Sequence, residues 1–212
     1  MKLKPLFTTV TALMAIAAMT TRTLGAYALL GYSWAQPVVP YYINPANMDV
    51  PTAAIEPAIR TGASAWPLQS GASFAFAFAG YSAQTTNTND GINLVMFRNA
   101  SSGSALATTY TWFSGTRMID ADIVFWDAGF QFFAGSSGCS GGFYIEDVAT
   151  HEFGHALGLG HSTLTAATMY PSISTCSQQA RSLDADDIAG VLALYPQSAP
   201  PPAPPTGLRI VR

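Results

Sequence analysis

The chain has 212 residues, 49% of them hydrophobic and only 10% charged, with a formal net charge of −3 and a pI near 5.4. That length suits one domain with a real core and is short for two. With no Lys/Arg run and no basic face in the sequence, nucleic acid is excluded as an expected partner.

The N-terminus, MKLKPLFTTVTALMAIAAM, sets Lys2 and Lys4 before a moderately apolar run from about Leu6 to Ala18, too short to span a bilayer. Small residues follow in TRTLGAYA, so residues 1–26 are expected to form an export signal, with cleavage after Gly25, Ala26 or Ala28. A short membrane anchor is the competing reading. No later apolar stretch approaches the length of a span, and the mature chain is expected to be secreted, extracellular and without a membrane span. Export changes how the two cysteines are read. In an oxidising compartment Cys139 and Cys176 most simply pair with each other, with two buried free thiols as the alternative. A bridge would close a loop holding every histidine of the chain, worth about 4 kcal/mol through loop-closure entropy.

Past the signal, PVVPYYIN (37–44) reads as a strand bounded by prolines. From Thr52 a helical pattern spaces Ile55, Ile59, Gly62 and Trp66 four, three and four apart, and Pro57 is expected to delay or kink that helix. SFAFAFAG (73–80) alternates strictly, with Phe74, Phe76 and Phe78 on one face, as in a strand packing aromatics onto a core; an aromatic binding stripe is the alternative. A polar loop leads to INLVMFR (92–98), ALATTYTWF (105–113) and DADIVFWD (120–127), three further strands, the last two joined by a turn around Ser114 and Gly115. Gly and Ser dominate residues 135–142. YIEDVATHEFGHAL then reads as a helix whose first turn carries Glu146 and Asp147, where the helix dipole favours acidic groups. LDADDIAGVLALYP (183–196) is a final helix, capped by Asp184 with Asp187 three residues on, and Ile188, Val191, Leu192 and Tyr195 form its apolar face. This order predicts an α+β plan, helices covering a mostly contiguous sheet over residues 27–198. From 199 to 212 the chain becomes a proline-rich linker or tail, APPPAPP, ending in TGLRIVR.

All three histidines fall in HEFGHALGLGH, residues 151–161. Residues four apart share one helix face, so His151 and His155 point the same way and can hold one metal ion. Glu152, beside the first, reaches toward the open side of the metal as a general base rather than a ligand. Alone, this spacing also fits a solvated helix face. Gly158, three residues after His155, weakens that alternative: a helix ends there if the glycine turns left-handed, letting His161 approach the metal from outside the helix. Three neutral nitrogens and an open position suit a catalytic zinc rather than a closed structural one.

HExxHxxGxxH followed by a methionine turn resembles the metzincin signature, with Met169 in ATMYP as the methionine. Ser162 after the third histidine, the MYP sequence and the closing LDADDIAGVLALYP are similar to matrixins rather than to astacins or adamalysins, and the likeness runs from about Tyr41 to Pro196. The resemblance implies a metzincin (zincin-like) catalytic domain, a twisted five-stranded mixed sheet with three helices, and zinc-dependent endopeptidase activity. It implies one catalytic Zn²⁺ on His151, His155 and His161, with Glu152 assisting attack by zinc-bound water. It also implies a primed-side pocket shaped by Pro171, Ser172 and Ile173. Substrate would lie extended along the edge strand at residues 105–110 as an added strand. The expected partner is a peptide or protein, met by a monomer.

Departures from that family sharpen the expectations. No cysteine-switch propeptide is read in the sequence, so latency by that route is not expected. No histidine is left for a second, structural zinc, and Thr108 falls roughly where one of its ligands would lie. Asp120, Asp122 and Asp127 around the last strand offer the oxygens that Ca²⁺ takes, with solvated surface carboxylates as the competing reading. A secreted binding module with a vestigial zinc site is the rival from another class. Glu152 weighs against it, because a purely structural site needs no base. A zinc hydrolase acting on something other than peptides conflicts with the signature.

Overall fold

A computed structural model describes residues 25–197. Most of the expected export signal and the whole of the proline-rich tail (199–212) lie outside the described residues. Strand β1 is Ala28–Leu29 and β2 is Val38–Ile43. A 3-10 turn at Thr52–Ala54 leads into α1, Ile55–Ser70. Pro57 sits in the first turn of α1, where no intrahelical partner awaits its missing N–H, so the helix starts three residues after Thr52 and is not interrupted. Four strands follow: β3 Ala75–Tyr81, β4 Leu94–Arg98, β5 Ala107–Ser114 and β6 Arg117–Trp126. Two short strands, β7 Phe132–Phe133 and β8 Phe143–Tyr144, precede α2, Ile145–Leu157. Strand β9, Leu159–Gly160, a second 3-10 turn at Gln179–Arg181 and helix α3, Ala185–Leu194, complete the described elements.

The main sheet has the order β3-β2-β4-β6-β5. The pairs β2·β3, β2·β4 and β4·β6 are parallel, and only β5 runs antiparallel, on β6 at the edge. This is the five-stranded mixed sheet with three helices expected of the metzincin fold. β6 is buried on both faces because each carries its own apolar layer. On one side Ile123 and Phe125 join Tyr41, Ile43, Trp66 and Phe153 under the helices. On the other, Val124 and Trp126 pack with Leu94 and Met96.

Helices α1 and α2 pack closely because of Gly62, where an added Cβ would meet Ala149 Cβ and Thr150 N at 2.9 Å. One turn further on, Trp66 is 1% exposed and its indole N–H donates to Thr150 O at 2.9 Å. Removing a buried aromatic of this kind costs about 3–5 kcal/mol. The Cys139–Cys176 bridge is formed, with a Cα–Cα distance of 5.5 Å, and joins the Gly/Ser-rich loop before α2 to the chain that follows Met169.

β1 carries no periodicity a sequence could reveal. It pairs antiparallel with β9, Ala28 opposite Gly160 and Leu29 opposite Leu159. Beside it, Ala26 N–H and Tyr27 N–H donate to Asp186 Oδ1 at 2.6 and 3.0 Å, fastening the start of the described chain to α3.

Candidate active site

Helix α2 carries His151, Glu152 and His155, and Gly158 ends it in the left-handed conformation (φ 108°) that its spacing called for. The two-residue β9 then turns His161 back, and one ligand atom from each imidazole lies within 4.8 Å of the others. His155 Nε2 and His161 Nε2 are 3.2 Å apart.

The other ring nitrogens show that this cluster is prepared for a cation. His151 Nδ1 donates to Thr168 O at 2.7 Å and His155 Nδ1 donates to Leu159 O at 2.8 Å. A carbonyl only accepts, so each Nδ1 carries the proton and each Nε2 keeps its lone pair for the shared point. Burial pushes His151 and His155 down to about 4, which keeps both imidazoles neutral and ready to ligate near neutral pH. Three converging imidazole nitrogens with room beside them fit a zinc ion with one open position.

The methionine turn lies directly beneath. Tyr170 N–H closes it onto Ala167 O at 3.1 Å, and Met169 is 1% exposed. Its sulfur and the Trp66 ring press against Gly154, the residue just before His155; any side chain there would strike both. Asp187 holds the turn from below. Its Oδ2 accepts from Thr168 N–H at 2.7 Å and its Oδ1 from Met169 N–H at 3.0 Å, while Oδ2 also closes the capping box of α3. A line of hydrogen bonds therefore runs from the start of α3 through the turn to the His151 ring. Asp186, the neighbour, accepts from Ser162 Oγ at 2.7 Å and steadies the chain just after His161.

Glu152 lines the cleft but is only 6% exposed. Thr109 Oγ, on the edge strand β5, donates to Glu152 Oε2 at 2.6 Å. Burial pushes the Glu152 carboxyl up, and His155 and then the Thr109 hydroxyl pull it back. The cleft itself holds about 1030 Å³ between β5 on one side and the Tyr170–Ser174 wall on the other. Pro171, Ser172 and Ile173 line it, as expected.

Two expectations about other residues need correction or refinement. Asp120, Asp122 and Asp127 are not solvated: they are 0, 0 and 7% exposed. Asp120 Oδ2 accepts from Asp90 and Gly91 N–H, Asp122 from Thr88 and Leu94 N–H, and Asp127 Oδ2 from Met48 N–H. The loop before β4 folds over Asp120 and Asp122 and the chain after β2 over Asp127, which residue type alone does not reveal. Asp120 Oδ1 and Asp127 Oδ1 are buried oxygens without a hydrogen-bond partner. Thr108 accepts a hydrogen bond from the Trp126 indole at 3.0 Å. Sequence reasoning also missed Thr109, Thr168 and the second role of Asp187. The strand expected over 105–113 was the only signal near the first of these, and it does not by itself single out Thr109.

A mixed sheet with an antiparallel edge, a histidine pair on the helix behind it, a returning third histidine and a methionine beneath define a metzincin-type metallopeptidase domain. The matrixin family pattern matches residues 33–196, and the chain belongs to that family. It is similar to metalloendoproteinase 1-MMP of Arabidopsis thaliana, 55% identical over 51 residues, 24% of this chain and 14% of the relative. Stromelysin-1 of Equus caballus is 52% identical over 59 residues, 27% and 12% of the two chains. Matrilysin of Rattus norvegicus is 52% identical over 48 residues, 23% and 18%. The matched stretches thus span less than a fifth of each of these relatives.

Proposed function

We propose that the protein is a secreted zinc-dependent endopeptidase that hydrolyses peptide bonds by Glu152-assisted attack of water. The observation that carries this reading is the convergence of one imidazole nitrogen from each of His151, His155 and His161 within 4.8 Å beside a buried carboxyl in an open cleft. A zinc ion held by His151, His155 and His161 would supply a Lewis acid able to make water nucleophilic near neutral pH and to polarise a carbonyl. The chain's own residues do the rest. The outer edge of β5 offers backbone groups to an extended peptide as an additional strand. Glu152 takes a proton from the attacking water and gives it to the departing amine, while the Thr109 hydroxyl fixes the carboxylate between the two transfers. Secretion is supported by the basic start and apolar run of the first residues, with the catalytic domain over 27–198 and the proline-rich tail beyond it.

Glu152→Ala tests the assignment. It removes the proton acceptor and no metal ligand, so zinc content and melting temperature should stay near or above those of the parent. Cleavage of a peptide pool should fall about 10⁴-fold, the upper end for a group that serves as both base and acid. Unchanged cleavage would refute the mechanism. A zinc-loaded parent that cleaves nothing would favour the binding-module alternative.

A further inference from the structure

The last turn of α2 leaves its carbonyls without helical partners, so each needs a donor from elsewhere. Gly154 O and His155 O share the N–H of Gly158, the glycine that ends the helix. Ala156 O accepts from the Trp34 indole N–H at 2.8 Å, and Leu157 O accepts from the Tyr195 hydroxyl at 2.7 Å. Gly158 O accepts from Leu30 N–H at 2.8 Å, and Leu159 O from His155 Nδ1 at 2.8 Å. Every carbonyl from Gly154 to Leu159 is thus satisfied along the stretch that leads from His155 toward His161.

Two of these donors are side chains from distant positions, and they are tied to each other. The Tyr195 hydroxyl, just past the end of α3, also accepts from Trp34 N–H at 3.0 Å. One oxygen therefore joins the chain after β1, the end of α2 and the end of α3. Trp34 and Tyr195 are each 7% exposed, which leaves water little access to replace either donor. Packing is close here as well: a Cβ added at Gly158 would strike Tyr32 O.

His151 and His155 keep their relative position by helix geometry alone. His161 has no such support, because its place depends on where α2 stops and how the chain turns through Gly158 into β9. We propose that the Tyr195 hydroxyl and the Trp34 indole are positioning groups for this third metal ligand. By holding the Leu157 and Ala156 carbonyls they fix the end of α2, and with it the point to which the His161 ring returns. The proposal rests on the zinc reading above and adds residues that tune how tightly the ion is held.

Tyr195→Phe keeps the ring against Phe74 and removes one oxygen, so Leu157 O and Trp34 N–H lose that partner. Competition with a chromogenic chelator, at a temperature where parent and variant are both folded, should show the zinc Kd raised about tenfold, the lower end for partners beyond the ligands themselves. In a His161→Ala background, where the turn no longer carries a ligand, the same change should leave the Kd unmoved. A group that only stabilises the domain would lower the melting temperature and leave the zinc Kd of folded protein where it was. An unchanged Kd in Tyr195→Phe, or an equal rise with and without His161, overturns the proposal. Where Tyr195→Phe does not fold, Trp34→Phe, which removes the donor to Ala156 O, is read in the same way. If neither folds with zinc bound, the two groups serve the whole domain and the proposal falls. A parent that binds no zinc refutes the zinc reading itself, which a failure confined to the variants leaves standing.

Discussion

Thr109 and Glu152 are 43 positions apart in sequence, and the hydrogen bond between them is what a spacing argument could not see. His151, Glu152, His155, Gly158 and His161 are legible because helix geometry fixes their relation from spacing alone. Met169 follows from the turn that carries it. Thr109 and Thr168 O reach the site only through tertiary packing, so their roles wait on the fold. The Thr109 contact makes a prediction of definite sign. Its hydroxyl favours the charged form of Glu152 and so lowers a carboxyl that burial has raised. In Thr109→Val that pull is lost, and the acidic limb of the kcat/KM profile should move to higher pH with the zinc content unchanged. A limb that stays put, or moves to lower pH, would show that the hydroxyl does not act on the base.

Among elements, β6 is where composition misled most. Its run DADIVFWD was readable as a strand from its branched and aromatic residues, yet the acids looked like surface groups. Asp120 and Asp122 are buried because the loop before β4 and the first residue of that strand, Leu94, donate backbone N–H groups to them, and Asp127 because Met48 N–H, from the chain after β2, does the same. Burial pushes Asp122 up to about 7, against the pull of the Leu94 and Thr88 amides. A raised carboxyl binds its proton in the folded chain while the unfolded chain has already released it. The Asp122 contribution should therefore be greatest below about pH 4 and decline as pH rises to about 7, by an order of a few kcal/mol. His151 and His155 act in the opposite direction in metal-free protein. Their folded values near 4 lie below the ordinary 6.5, so stability rises with pH over that interval. Urea unfolding with a chelator from pH 4 to 8 should separate the two effects. Asp122→Asn should be less stable at low pH, where it loses one amide acceptor, and its stability should climb more steeply with pH than the parent's. Parallel curves would mean that Asp122 does not titrate in this range. The short strands β1 and β9 were not legible at all, since two residues carry no alternation and their pairing is set by where Gly158 turns the chain.

At the scale of the molecule, the Cys139–Cys176 bridge spans 37 positions and encloses α2, the three histidines and the methionine turn. Near it, Cys176 N–H donates to Gly142 O at 2.9 Å and Gln178 Nε2 donates to Ser136 O at 2.9 Å, so the outer wall of the cleft is stitched to the loop before α2. Loop-closure entropy gives the bridge about 4 kcal/mol, which for a domain of this size corresponds to roughly 10 °C in melting temperature. Reduction without denaturant should lower the melting temperature by about that amount and loosen Pro171–Ser177 first. Hydrogen exchange faster in that segment than in α1 would report it, and uniform exchange or an unchanged melting temperature would count against the bridge as a staple.

The ties between Ala26, Tyr27 and Asp186 also bear on time. They join positions about 160 residues apart, and β1 cannot pair until β9 exists. A chain made from its N-terminus presents His151 and His155 well before Asp186 and Asp187 have been added. Until then Thr168 has no carboxylate beneath it, and the segment after His161 lacks its anchor. Distant contacts of this kind are also the slowest to form. The three-histidine geometry is thus completed late in the life of each new molecule, when nearly the whole domain is already present to enclose it.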